Sequence, residues 1–156
     1  MKEKIENINI DLLIPFKNHP FQERNGIEQT ELLESIKTNG LLEPIIVRSF
    51  SAGTYEIISG HRRVSVCKKL RIQTVLTIVK DLNKDEAVIA MIDANLHREH
   101  LLPSEKVFAY KMKLEAMKHQ GLTSGQLVQK WSRDIISDNE SGRQVQRYIC
   151  LTYLIP

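Results

Sequence analysis

The chain has 156 residues, of which 42% are hydrophobic and 26% charged, enough for one domain with its own core or two small ones. A net charge of +3 permits contact with nucleic acid without requiring it. No apolar run approaches the ~20 residues of a membrane span, and Met1-Lys2-Glu3-Lys4 leads into no signal-peptide core, so a soluble, cytoplasmic protein without a membrane partner is expected. Cys67 and Cys150 are the two cysteines. Each lies in an apolar-periodic stretch, and both are expected as buried free thiols of a reducing compartment.

In chain order, Ile8 to Ile14 alternates loosely and ends at Pro15, as a short strand does. A polar loop runs from Phe16 to Gly26. Leu32, Leu33 and Ile36 recur at helical spacing, and Asn39-Gly40 is a helix stop. Pro44 opens the β-branched run Ile45-Ile46-Val47. Ser51-Ala52-Gly53 turns the chain and Thr54 to Ile58 returns, which predicts a hairpin. Gly60 ends the second strand. A helix from Arg62 to Leu70 turns Val64, Val66 and Cys67 inward. Val75 to Val79 predicts another strand, and Lys84 to Leu96 a helix with Ala87, Val88, Met91 and Ile92 on one face.

After Leu101 no further strand is predicted. Pro103 suits the first position of a helix, and Ser104 and Glu105 its first turn. The period of Val107, Tyr110, Leu114 and Met117 carries that helix to His119 or Gln120, before Gly121. Lys106, Lys111, Lys113 and Lys118 spread around it as a solvated face. A domain boundary at 99–103 separates an α/β unit, 1–100, from an all-α segment, 101–156. In that segment Thr123 is expected to cap a helix containing Leu127, Val128 and Trp131. A polar turn over 137–142 is expected next, and then a second helix from about Arg143 with Val145, Tyr148 and Ile149 inward. Such a helix-turn-helix leaves Ser141, Arg143, Gln144 and Arg147 for DNA, since a recognition helix needs an apolar back and Arg or Gln side chains near its N-terminal end.

Two polar segments carry the remaining chemistry. The first is Ile57-Ile58-Ser59-Gly60-His61-Arg62-Arg63, and the second runs from Asp93 through Asn95 and Arg98 to Glu105. Each sets a glycine or a helix start beside arginines. Helix N-terminal N–H groups and guanidinium forks both bind phosphate, so a phosphate pocket is expected.

The order of these segments resembles the ParB-type partition proteins over nearly the whole chain. His19-Pro20-Phe21-Gln22-Glu23-Arg24 resembles the family's Asn-Pro-x-Gln-Pro-Arg. Glu34-Ser35-Ile36 through Gly40 and Glu43-Pro44-Ile45 resemble its helix-to-strand segment. Gly60-His61-Arg62-Arg63 stands for Gly-Glu-Arg-Arg. Ala94-Asn95-Leu96-His97-Arg98, with Leu101, Pro103 and Glu105, stands for Glu-Asn-x-x-Arg and a Leu-x-Pro-x-Glu helix start. The resemblance implies an α+β N-terminal domain of the ParB/sulfiredoxin-like kind followed by an all-α helix-turn-helix segment. It implies a homodimer that binds centromere-like DNA on the nucleoid, a ParA-type ATPase as a partner, and CTP with magnesium closing the dimer into a clamp. Gly60, His61, Arg62 and Arg63 would lie at the phosphates, Gln22 and Arg24 would line the cavity, and Asn95 and Arg98 would complete it, Asn95 near the metal.

Two departures bear on turnover. His61 and Ala94 stand where the family has glutamates. Asp93 is one residue away from the second, and one helical step turns a side chain by roughly 100°. Nucleotide binding as a switch, with slow or no hydrolysis, is therefore the expectation. Three other readings stay open. A regulator or adaptor could use the same fold without nucleotide turnover. A sulfiredoxin-like enzyme would need a reactive thiol, with Cys67 the only nearby candidate. His61, His97 and His100 could together hold zinc.

Overall fold

The computed structural model describes residues 3–21, 26–98 and 100–121, together with Arg143, Gln144, Arg147, Cys150, Leu151 and Leu154. The elements are β1 (Glu3–Asn9), β2 (Leu13–Ile14), α1 (Ile27–Asn39), β3 (Ile45–Ser51), β4 (Thr54–Ser59), α2 (His61–Lys69), β5 (Thr74–Lys80), α3 (Lys84–Leu96) and α4 (Pro103–His119). They fall into two compact units, Met1–Asn83 and Lys84–Pro156. By packing, α3 therefore belongs with α4, whereas the sequence boundary at 99–103 marks where helix follows helix.

In the first unit the described strands form one mixed sheet in the order β1-β5-β3-β4-β2. β5 is antiparallel to β1 and parallel to β3, while β4 is antiparallel to β3 and parallel to β2. The β-branched runs expected in β3, β4 and β5 supply Ile45, Val47, Ile57 and Val75 to the core, with Val64, Val66 and Cys67 of α2 and Ile36 of α1. That is the packing such runs favour when a sheet face is covered by helices.

One expected strand is corrected. Ile8 to Ile14 is not a single strand. The Asn9 side chain accepts the Asp11 N–H at 3.0 Å and bends Ile10–Leu12 into a 3-10 turn, separating β1 from β2. β1 also begins earlier, at Glu3, because it is an edge strand. Most of its side chains face solvent, so no apolar alternation announces it.

Two local features prepare the end of β4. Ile46 pairs with Ser59 and Val47 with Ile57, so Ile58 is the extra residue of a bulge just before Gly60. A bulge bends its strand and re-aims the residues beyond it. Further along the hairpin, Arg48 faces Glu56 and its Nε donates to Oε2 at 2.7 Å, both side chains being buried. This pair fixes the hairpin in register, because a slip would leave two charges buried alone.

In the second unit α3 buries Ala87, Val88, Met91 and Ile92, as its period predicts, and α4 buries Val107, Ala109, Tyr110, Ala116 and Met117. The two helices pack on one another. Glu105 Oε2 accepts the Leu102 N–H at 2.9 Å and closes the start of α4. The lysines of α4 are not a uniform solvated face. Lys113 is buried, and its Nζ donates to Asp93 Oδ1 of α3 at 2.6 Å. A long aliphatic stem lies along the helix pair while the charged end finds its partner. No described helix is long and apolar enough to cross a membrane.

Candidate functional site

The first corner is the step from β4 into α2. Gly60 is left-handed, with φ +107° and ψ 20°, and serves as the N-cap of α2. A Cβ placed on it would meet Ile45 Cγ1 at 3.2 Å and Arg63 Nε at 3.5 Å. Only glycine makes this turn without strain and without crowding β3. The result is a sharp strand-to-helix corner whose cap residue has no side chain to offer the first N–H groups, and a helix N-terminus of this kind favours an anion.

The three side chains after Gly60 take three roles. His61 opens α2, and its Nε2 accepts the Phe16 N–H at 3.2 Å. This bond places the proton of the neutral ring on Nδ1. The His61 ring lies 4.2 Å from that of His19, centroid to centroid, and His19 Nδ1 donates to the Phe21 carbonyl at 2.8 Å. Phe16 and Phe21 are buried, so the expected polar loop is pinned at both apolar ends and at His61. The residue in the family's glutamate position thus fastens the loop that leads toward Gln22 and Arg24. Those two residues lie outside the described part of the structure.

Arg63 is held on the structure itself. Its Nη1 donates to the carbonyls of Glu43 at 3.0 Å and Pro44 at 3.2 Å, and lies 3.2 Å from the Glu43 carboxylate. Among the described residues Arg62 has one weak partner, the Glu28 carboxylate of α1, at 3.4 Å from Nη1. Its Nε is buried without a hydrogen-bond partner among the described residues. The start of α2 therefore offers two adjacent arginines in different states, one committed to the α1–β3 connection and one nearly uncommitted. No spacing in the sequence pairs Glu28, Glu43 or His19 with this corner. Those contacts join segments far apart in the chain.

Cys67 lies further along α2 and is fully buried. Burial pushes its thiol up, against a smaller opposing effect of the Arg63 charge. The thiolate a sulfiredoxin-like reaction needs is thus disfavoured at neutral pH.

The second corner is the end of α3. Asn95 is buried, and its Nδ2 donates to the Met91 carbonyl at 2.6 Å. That bond uses the amide nitrogen and not Oδ1, the atom a hard cation takes. The Arg98 N–H donates to the Asn95 carbonyl at 3.2 Å, and the Arg98 side chain is exposed. A helix end presents carbonyls and negative potential, the opposite of the α2 start. Asp93, the nearest carboxylate to the missing glutamate, is tied to Lys113. Among the described residues no three His, Cys, Asp or Glu side chains gather as a metal site, His61, His97 and His100 included.

For DNA, Arg143, Gln144 and Arg147 are helical and exposed, while Ser141 and the expected first helix from Thr123 lie outside the described residues. Cys150 is exposed, not buried as expected. Its position three residues after Arg147 and seven after Arg143 sets it on the arginine face. With Leu151 and Leu154 these residues line one open hollow.

This geometry can be set beside known proteins. The family model described as the ParB N-terminal domain matches residues 1–96. The chain belongs to that family. The nucleoid occlusion protein of Geobacillus thermodenitrificans (strain NG80-2) is 36% identical over 118 residues, covering 73% of this chain and 41% of that protein. The nucleoid occlusion protein of Lysinibacillus sphaericus (strain C3-41) is 39% identical over 114 residues, covering 72% and 38%. The chain thus spans about two-fifths of the length of these relatives. Among solved structures, the C-terminally truncated chromosome-partitioning protein ParB from Caulobacter crescentus complexed to the centromeric parS site shares the fold. The TM-score is 0.62 at 23% identity, over 92% of this chain and 70% of that one. The same protein complexed with CTP-gamma-S gives 0.56 at 21% identity, over 93% and 92%. The α+β unit followed by helices is therefore the ParB N-domain fold.

Proposed function

We propose that this chain is a DNA-binding protein of partition or nucleoid occlusion, in which a CTP-type nucleotide site gates a dimeric clamp on DNA. The observation that carries the reading is the α2 start: a helix N-terminus behind a left-handed Gly60 that brings no capping side chain, with Arg62 weakly held beside it. Its donor set is cationic and N–H-rich, which fits the several negative charges of a triphosphate. Gln22, Arg24, Gly60, His61, Arg62, Arg63, Asn95 and Arg98 form the proposed nucleotide set, with Asn95 Oδ1 as the protein oxygen for magnesium. Bound magnesium would neutralise phosphate charge. The chain's own groups bind and orient the phosphates, and His61 holds the 16–21 loop in place. Ser141, Arg143, Gln144 and Arg147 are the proposed DNA contacts, and 1–100 and 101–156 the nucleotide and DNA parts. A homodimer, a ParA-type ATPase partner and residence on the nucleoid in the cytoplasm complete the proposal.

The residues in the family's two glutamate positions bear on turnover. His61 is engaged with Phe16 and His19, and Ala94 has no ionisable group, so the nucleotide acts as a switch ligand that is hydrolysed slowly or not at all. Calorimetric titration with CTP, ATP and GTP in magnesium tests the site. CTP is expected to bind at least about tenfold tighter than the others, a free-energy gap of about 1.4 kcal/mol. Absence of CTP binding at millimolar concentration would leave a DNA-binding adaptor. DNA-stimulated phosphate release from CTP would overturn the switch-only reading.

A further inference from the structure

Arg62 and Arg63 are neighbours in sequence but not in circumstance. Arg63 Nη1 has two backbone carbonyls and one carboxylate within reach, so moving it would strip the α1–β3 connection of its donor. Among the described residues Arg62 has the single long contact to Glu28, and that carboxylate is 67% exposed. Glu28 stands in the first turn of α1, beside Ile27, which is also exposed. That exposure leaves the glutamate room to swing into water. The Nε of Arg62 is meanwhile buried with no acceptor among the described residues. A guanidinium with a loosely attached carboxylate on one arm and an unsatisfied inner donor is poised to exchange that carboxylate for a better anion.

We propose that Glu28 is a tethered competitor for the phosphate of the bound ligand: its carboxylate occupies Arg62 when no ligand is present and is displaced on binding, while Arg63 acts as a positioning residue. The inference rests on the phosphate site proposed above and assigns its residues different jobs. A carboxylate carried on α1 is at high local concentration at Arg62, so it lowers affinity for every anion, most at low ionic strength where exposed charges are least screened.

The test is titration with inorganic triphosphate and with CTP at low salt, on wild type, Glu28→Gln, Arg62→Ala, the double variant, and Glu31→Gln. Glu31 is an exposed residue of α1 and makes no ion pair with Arg62, so its change carries the same charge difference without the contact. Glu28→Gln is expected to bind triphosphate about threefold tighter, as the loss of one exposed ion-pair competitor implies. Arg62→Ala is expected to lose most binding, the double variant to behave like Arg62→Ala, and Glu31→Gln to match wild type. Equal gains for Glu28→Gln and Glu31→Gln would overturn the proposal in favour of bulk charge. Binding that is lost in Arg62→Ala but unchanged in Glu28→Gln would overturn it while leaving the phosphate site intact. No triphosphate or CTP binding by wild type and Glu28→Gln alike would remove the site and the competitor with it.

Discussion

The start of α2 and the end of α3 both carry an arginine-bearing motif, yet they are built from opposite materials. At the α2 start the polarity comes from backbone. Gly60 turns the chain into the N-terminus of α2, and the sheet beneath holds the corner through Ile45 and the bulge at Ile58. At the α3 end the exposed backbone groups are carbonyls, and the local geometry rests on side chains: the Asn95 amide on Met91 and the Asp93–Lys113 tie. The first corner suits an anion and the second a cation, by the sign of the helix dipole. Similar motifs, each with arginines near a helix end, thus acquire opposite chemistry from which end of the helix they occupy.

If backbone geometry makes the first corner, Gly60→Ala is the most damaging single change. A left-handed alanine and a contact to Ile45 at 3.2 Å together cost about 3 kcal/mol, read as a lower urea midpoint. Gly53→Ala gives the control: φ is +83° there with open space around it, so only about 1 kcal/mol is expected. Equal losses at the two glycines would show that close packing on β3 is irrelevant.

The second corner is expected to yield to side-chain surgery instead. Asp93→Ala leaves the buried Lys113 charge without its partner and costs on the order of 2 kcal/mol, less than a fully buried pair because the aspartate is half exposed. Lys113→Met removes the charge along with the pair and is expected to be nearly neutral in the same unfolding assay. Were Lys113→Met as harmful as Asp93→Ala, the tie itself would be stabilising.

Within the first corner, Arg63→Ala is expected to cost about 1 kcal/mol through its lost carbonyl contacts, and Arg62→Ala less than about 0.5 kcal/mol. Thermal unfolding of the two variants side by side reads the difference, and an inverted order would reverse their assigned roles.

The smallest effect concerns the thiols. Native protein is expected to lose one thiol to a fast alkylating reagent, Cys150, and the second, Cys67, only on unfolding. The Cys67 thiol is raised by burial, so the folded chain holds its proton more tightly than the unfolded one. That contribution is complete below the ordinary thiol range and is lost as pH rises through the raised value. Stability from this group therefore declines only in alkaline solution. Rapid labelling of native Cys67 would contradict its burial.

Much of the fold is legible in the sequence because local periodicity reports burial directly. The runs in β3, β4 and β5 and the inward faces of α2 and α3 match their expected periods, as do Val107, Tyr110 and Met117 of α4, whereas Leu114 is only partly buried. The departures have two causes: the break between β1 and β2 is local, set by Asn9 on Asp11, while others depend on surroundings that no local period reports. β1 is longer than its pattern because an edge strand has no buried face to imprint alternation on Glu3-Lys4-Ile5-Glu6. Lys113 is hidden from a helical period because burial of a lysine depends on Asp93, 20 residues away. Cys150 has apolar neighbours in sequence but shares its face with Arg143 and Arg147. In the site, the Gly60 turn and the arginine pair are legible, while the contacts of Glu28, Glu43 and His19 are not.

The amino-acid sequence by itself determined the order of elements from α1 to α4, the family to which the chain belongs, and the corner where glycine meets arginine, since propensity, period and motif spacing act over a few residues. Tertiary structure alone decided which arginine is fastened and which is available, and that His61 secures a loop. Adjacent residues on a helix point roughly 100° apart, so the surroundings of each one depend on segments brought near only by folding.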